Sequence, residues 1–365
     1  MKVMTVLGTR PEIIRLSLVI QQLDQHSEHL LVHTGQNYDP NLNEIFFQEL
    51  GVRAPDVYLG IRANTIGEQI GRILMETEKE ILRFQPDRIL ILGDTNSGLV
   101  SIIAKRMGIP VFHMEAGNRA HDPRMPEEAN RKIIDHTSKI LLPYTQKSRD
   151  NLMAEGIASR FIYVTGNPIY EVIEAFKPKL ESLDTFTRYN VEPQKYFLVT
   201  AHREENVDNE ARLRSILTAL DQIQKQYGYP VLYSLHPRTR DKMKKFGIEI
   251  TNPDVRLHEP MGFFDFIKLE LNALCVLTDS GTVQEECCIY RVRNVTLRDN
   301  TERPETIDCG SNILAGTETD SILRTVKIVL ENDTSWSIPP EYLEREVAQK
   351  VARIVLSYLH QGLSQ

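Results

Sequence analysis

The segment Ile109-Pro-Val-Phe-His-Met-Glu115-Ala-Gly-Asn-Arg-Ala-His-Asp-Pro-Arg-Met-Pro-Glu127-Glu-Ala-Asn-Arg131 decides the fold. Its first six residues are an apolar run that reads as a buried strand and delivers Glu115 at the strand's end. A polar loop with Gly117, Pro123 and Pro126 follows, and a helix opens on Glu127 and Glu128. Strand, polar loop and helix in that order are the unit of an α/β protein. Carboxylates and arginines at the carboxyl end of such a strand stand where these folds bind and transform ligands. Glu127 and Glu128 also suit the first turn of a helix, where acidic residues are favoured by the dipole.

Outward from this segment the same alternation runs almost throughout, which predicts parallel sheets built from βαβ units. Strand-like runs fall at 2–7, 29–33, 88–92, 140–142 and 161–164, with helix-like stretches between them, among them 41–50 and 66–84. Thr165-Gly-Asn-Pro168 is the expected crossing point between domains. A second alternation follows, with strands at 196–200, 231–235, 274–278 and 294–297 and an amphipathic helix at 209–226. The last helix, about 342–358, has an apolar face that must pack on a neighbouring domain. Two open α/β domains, 1–167 and 168–344, are expected, with polar loops at the strand ends of both and a ligand cleft between them.

A chain of 365 residues is too long for one ordinary core and suits two domains. At 41% hydrophobic and 25% charged residues, the composition is that of a soluble globular protein. The apolar runs are strand-sized, so no membrane insertion is expected, and the first residues lack the order of a signal peptide. Cys275, Cys287, Cys288 and Cys309 show neither zinc spacing nor a disulfide framework and read as reduced thiols of a cytoplasmic protein. The net charge of −7 argues against nucleic acid as a partner. A small anion is another matter: Arg10, Arg15, Arg203, Arg238 and Arg303 all lie in or just beyond loops that follow strands.

The loop 8–12 lacks the Gly-x-Gly-x-x-Gly pattern, so it gives no support for a dinucleotide, yet it joins a glycine, an arginine and a helix start. Ser280-Gly281 before the next helix is a second anion site by the same logic, although Asp279, Ser280 and Thr282 are also good capping residues. Glu286, about a turn in, can accept hydrogen bonds from the two hydroxyls of a ribose. Asp94, Glu115 and Glu127 follow strands of the first domain, and His202 and Arg203 follow a strand of the second. Carboxylates with a histidine are the inventory of general acid–base work. No His/Cys/Asp cluster has metal-ligand spacing, and no Gly-x-Ser-x-Gly elbow is present, so no metal is expected.

Seven motifs occur in order: Gly8-Thr-Arg-Pro-Glu12, Gly93-Asp-Thr-Asn96, Glu115-Ala-Gly117, Pro126-Glu-Glu-Ala-Asn-Arg131, Ala201-His-Arg-Glu-Glu-Asn206, Thr278-Asp-Ser-Gly281 with Gln284-Glu-Glu286, and Thr301-Glu-Arg-Pro-Glu305. Together they resemble the non-hydrolysing UDP-N-acetylglucosamine 2-epimerase family over nearly the whole chain. The resemblance implies two Rossmann-like domains in a GT-B-type arrangement, a C-terminal helix (about 345–365) returning to the first domain, a homodimer and no redox cofactor. It implies inversion at C2 of a UDP-sugar by elimination of UDP to a 2-acetamidoglucal and re-addition, serving surface polysaccharide synthesis. It assigns Asp94, Glu115, Glu127 and His202 to catalysis, and Arg10, Arg15, Arg131, Arg203, His236, Ser280, Gly281, Glu286 and Arg303 to the UDP-sugar.

Departures from the family pattern are specific. Arg15 replaces the family's common lysine, and Asn118-Arg119 stands where Leu-Arg is usual. Gln36-Asn37-Tyr38-Asp39 replaces the Gln-His-Arg-Glu pattern linked in many bacterial members to activation by UDP-GlcNAc, so that activation is not expected here. The Met-Glu-Ala-Gly-Asn-Arg and Gln-Asn-Tyr-Asp forms also resemble the branch that forms UDP-N-acetyl-L-fucosamine. A GT-B glycosyltransferase is the rival from another class.

Overall fold

Val3, Met4, Val6 and Leu7 are fully buried, and so are Ile89, Leu90 and Ile91. Runs of that kind become strands covered by helices on both faces, as parallel sheets require. In the computed structural model, residues 1–35, 47 and 49–357 are described. Their contacts divide the chain into two units, Met1–Ala175 with the segment from Pro340 on, and Phe176–Pro339.

The first unit holds strands β1 (Lys2–Leu7), β2 (Glu28–His33), β3 (Val57–Tyr58), β4 (Arg88–Leu92), β5 (Val111–Met114) and β6 (Ile140–Leu142). They form one parallel sheet in the order β3-β2-β1-β4-β5-β6. The second unit holds β7 (Phe197–Thr200), β8 (Val231–Ser234), β9 (Val255–His258), β10 (Cys275–Thr278), β11 (Asn294–Thr296) and β12 (Asn312–Leu314). Its parallel sheet runs β12-β11-β10-β7-β8-β9. Counted from each unit's own first strand, the two orders are the same doubly wound order. The point where strand order reverses lies between β1 and β4 in one unit and between β7 and β10 in the other. Ligands of such sheets bind outside the carboxyl ends of the strands at that point.

Helix Pro168–Ala175 packs in the first unit rather than opening the second, as a boundary at Pro168 supposed. Ile169, Val172 and Ile173 are buried, and the helix lies on helix Arg10–His26. Helix Val347–Leu356 covers the same helix with Val347, Val351 and Val355. The strand expected at 161–164 is a short turn, Ser159–Phe161, and one bridge from Ile162 to Leu141. Tyr163 and Thr165 donate to Leu141 and Pro143, but β6 ends at Leu142, and Pro143 has no N–H with which to continue the ladder. The Gln36–Asp39 loop and most of the 41–50 helix lie outside the described residues. Among the described residues no helix is long and apolar enough to cross a membrane, and no cluster of His, Cys, Asp and Glu could hold a metal ion.

Candidate active site

The first unit's strand ends are tied to one another by carboxylates. After β1, Glu12 is 2% exposed and accepts from Gly8 N at 3.0 Å, Thr9 Oγ1 at 2.7 Å and Thr95 Oγ1 at 3.2 Å. It thereby joins the β1 loop to the β4 loop. Burial pushes its carboxyl up to about 7, against the downward pull of those donors. Arg10 is half-buried at the start of helix Arg10–His26. Arg15, one turn further on, is buried against the Tyr144 ring and reaches Glu115 Oε2 at 3.5 Å.

Glu115 ends β5 with φ +64°, a left-handed conformation uncommon for a residue with a side chain. Its backbone N donates to Leu142 O at 3.1 Å, and its Oε1 accepts from Asn118 Nδ2 at 3.0 Å. Beneath it, His113 Nδ1 pairs with Asp135 Oδ1 at 2.8 Å and His113 Nε2 with the Gly93 carbonyl at 2.8 Å. His113 thus bridges the Asp135 carboxylate and the Gly93 carbonyl. Asp135 Oδ2 also accepts from Gly117 N at 3.2 Å and Arg119 at 2.8 Å, and Arg119 forks onto Glu155. The Arg119 guanidinium holds the Glu155 carboxyl below the usual range.

After β4, Asp94 accepts from Arg131 Nε at 2.9 Å, and Arg131 also reaches Glu128 at 2.9 Å. Asn130 ties its own turn to the Asp94 carbonyl at 2.9 Å and to Asn96 at 3.0 Å. Glu128 is buried, accepting from Ala120 N at 3.1 Å. Glu127 is half-buried in the first turn of helix Pro126–Thr137.

In the second unit the hub is Asp279, which is fully buried. It accepts from the backbone N–H of His202 at 2.9 Å and of Arg203 at 2.9 Å, and from Asn206 Nδ2 at 3.1 Å. The β7 and β10 loops are thus one piece. His202 stacks on His236 with ring centroids 5.3 Å apart. His236 Nδ1 accepts from Arg238 N at 3.2 Å, which leaves Nε2 to carry the ring hydrogen of the neutral form. Ser280 sits at the N-cap of helix Gly281–Tyr290, and its side chain accepts none of the first-turn N–H groups. The capping alternative is therefore not the one taken, and an uncapped helix start suits an anion. A Cβ at Gly281 would lie 2.4 Å from Glu302 Oε1. Glu302 in turn accepts from Arg203 at 3.1 Å and pairs with Arg298 at 2.7 Å.

Arg303 is buried and paired with Glu285 at 2.5 Å. Glu286 is buried beside Glu270, whose carboxyl is raised well above the usual range by burial and by the Glu286 charge. Arg238, expected beside a phosphate, is engaged by Glu204 and Asp208 instead, and the Asp208 carboxylate raises it.

The role that the sequence reading did not assign is that of the hubs: Glu12, His113, Asp135, Asp279, read only as a capping residue, and Glu302. One carried a signal. Thr9-Arg-Pro-Glu12 has capping-box spacing, and Glu12 takes the loop donors as such a glutamate does.

Two doubly wound sheets with an uncapped helix start and arginine–carboxylate pairs at the strand ends define an α/β protein of the nucleotide-binding class. The model of the UDP-N-acetylglucosamine 2-epimerase family matches residues 21–356. A UDP-N-acetylglucosamine 2-epimerase of Methanococcus maripaludis is 42% identical over 345 residues, 93% of this chain and 94% of that protein. The UDP-2,3-diacetamido-2,3-dideoxy-D-glucuronate 2-epimerase of Pseudomonas aeruginosa is 38% identical over 336 residues, 90% of this chain and 92% of that protein. The crystal structure of Methanocaldococcus jannaschii UDP-GlcNAc 2-epimerase in complex with UDP-GlcNAc and UDP matches with a TM-score of 0.92 at 40% identity, covering 97% of this chain and 99% of that one. The chain belongs to the UDP-N-acetylglucosamine 2-epimerase family and is an isomerase, as the seven motifs implied.

Proposed function

We propose that this chain interconverts UDP-GlcNAc and UDP-ManNAc by eliminating UDP and adding it back. The observation that carries the reading is the pairing of a carboxylate with an arginine at two neighbouring strand ends, Asp94 with Arg131 and Glu115 with Arg15. C2 of the sugar bears no carbonyl, so its proton leaves only as the C1–O bond breaks. A carboxylate takes the C2 proton, the C–H electron pair becomes the C1=C2 bond of a 2-acetamidoglucal, and UDP departs with the C1–O pair. UDP then returns to C1 while a proton reaches the opposite face of C2. No electrons are gained or lost overall.

Asp94, Glu115 and Glu127 are the proposed proton-transfer and cation-stabilising groups. Arg10, His202, Arg203, His236 and the helix start at Ser280 and Gly281 stabilise the diphosphate charge. Glu286 takes the ribose hydroxyls, and Arg303, buried and paired with Glu285, is assigned to the same UDP-sugar set. Holding UDP between the two half-reactions separates epimerisation from hydrolysis. The reading includes a cytoplasmic homodimer in surface polysaccharide synthesis, which sedimentation and cell fractionation test.

Proton NMR of the protein with UDP-GlcNAc in D₂O is the experiment. UDP-ManNAc signals with deuterium at C2 are expected; free sugar and UDP alone would make the enzyme a hydrolase. Glu115→Gln and Asp94→Asn are expected to lower kcat about 100-fold or more with little change in UDP affinity. A second reading has support in the Met114-Glu-Ala-Gly-Asn-Arg119 form and in a 38%-identical relative named for a different sugar. Exchange with a UDP-6-deoxy-L-hexosamine and none with UDP-GlcNAc would select it.

A further inference from the structure

The geometry points to Asn118 as a positioning residue for Glu115, a buried amide locked so that it always presents a donor to that carboxylate. Asn118 is 5% exposed. Its Nδ2 donates to Glu115 Oε1 at 3.0 Å, and its Oδ1 accepts from Ser148 Oγ at 2.9 Å. The hydroxyls behind the amide agree with that orientation. Ser148 Oγ accepts the Thr145 hydroxyl at 3.2 Å, and Thr145 Oγ1 accepts Ser148 N at 3.1 Å. In this arrangement the Ser148 hydroxyl donates to Asn118. Turning the amide over would set its oxygen against the Glu115 carboxylate, two acceptors facing each other in a buried place.

The loop around it does not give. The Asn118 carbonyl accepts from Arg119 at 2.7 Å, the Gly117 carbonyl from Asn151 at 2.9 Å, and a Cβ at Gly117 would lie 2.2 Å from Ser148 O. On the other oxygen of Glu115 stands Arg15. A proton on Oε1 would meet the Asn118 N–H. Asn118 thus keeps Glu115 an acceptor, suited to taking the C2 proton or facing a cationic C1, and unsuited to delivering a proton to departing UDP. This rests on the epimerase reading above.

Asn118→Leu keeps the branching of the side chain and removes both bonds, while Ser148→Ala keeps the donor and removes its lock. The test measures C2 exchange rates, KM, UDP affinity by calorimetry and the melting temperature for both, beside Glu115→Gln. N118L is expected to lose roughly 10- to 100-fold in kcat, the effect of a misplaced reacting group. KM and UDP affinity are expected to stay within about twofold, and S148A to fall between N118L and the unaltered protein. Unaltered kcat in N118L beside a crippled E115Q would overturn the proposal and leave the epimerase reading standing. Parallel loss of kcat, UDP affinity and melting temperature in both variants would reduce Asn118 to a structural role and overturn it too. Absence of C2 exchange in the unaltered protein with every UDP-N-acetylhexosamine would bring down the epimerase reading, and this proposal with it.

Discussion

Glu12 and Asp279 do the same work in the two units, joining the loop after the first strand to the loop after the fourth, but their charges are satisfied to different degrees. Asp279 accepts two backbone N–H groups and an amide, whereas Glu12 is carried to about 7 because burial outweighs its donors. The sign of the pH effect follows. The folded carboxyl titrates near 7 and the unfolded one near 4.5, so its stabilising contribution is complete below pH 4.5 and is lost as pH rises through 7. Urea unfolding from pH 5 to 8 should show the unaltered protein losing up to about 3 kcal/mol relative to Glu12→Gln, which has no proton to lose. Parallel curves would show that Glu12 is ionised at pH 5. Asp279→Ala leaves three inward N–H groups without their acceptor. It should cost roughly 3 kcal/mol in the same assay and weaken UDP binding, since His202 and Arg203 lose their common anchor.

At the scale of elements, the start of helix Gly281–Tyr290 is where packing and binding meet. Glu302 lies where a Cβ of residue 281 would be, tied to Arg203 and Arg298. Gly281→Ala must displace it and swing Arg203 away. UDP affinity should fall about tenfold, equivalent to ~1.4 kcal/mol, which calorimetry reads directly. The elements themselves were largely legible: apolar runs such as Leu198–Val199 or Val276–Leu277, followed by polar loops and amphipathic helices, leave little choice. What was not legible were edge strands such as β3, only Val57–Tyr58, and β12, whose Asn312 gives no apolar signal. The hubs escaped for another reason. His113 meets Asp135 across 22 positions and Asn206 meets Asp279 across 73, and such partners are set by sheet order, which no local pattern encodes. The strand-end residues were found because the switch-point rule needs only the strands; Arg238 was misread because its neighbours Glu204 and Asp208 come from the short helix after another strand, β7.

At the scale of the molecule, the second unit is one unbroken stretch, Phe176–Pro339, while the first is made of two pieces. The later piece matters to the earlier one. Val347, Ala348, Val351, Ala352 and Val355 are buried, and their helix lies on helix Arg10–His26. The Val355 carbonyl accepts from Arg88 of β4, and Glu171 accepts from Ala348 N at 2.9 Å. Three valines exposed by truncation represent on the order of 5 kcal/mol, comparable to the whole stability of an ordinary domain. A fragment of residues 1–175 should therefore be unfolded by circular dichroism and amide exchange. The same fragment joined by a short glycine–serine linker to residues 340–365 should recover a cooperative transition. Residues 176–339, whose apolar cluster around Phe197, Val199 and Leu277 is closed within the unit, should fold alone and bind UDP without turnover. A cooperative melt of residues 1–175 by themselves would show that the returning helix is an accessory, and failure of 176–339 to fold would mean that the units are not independent in stability.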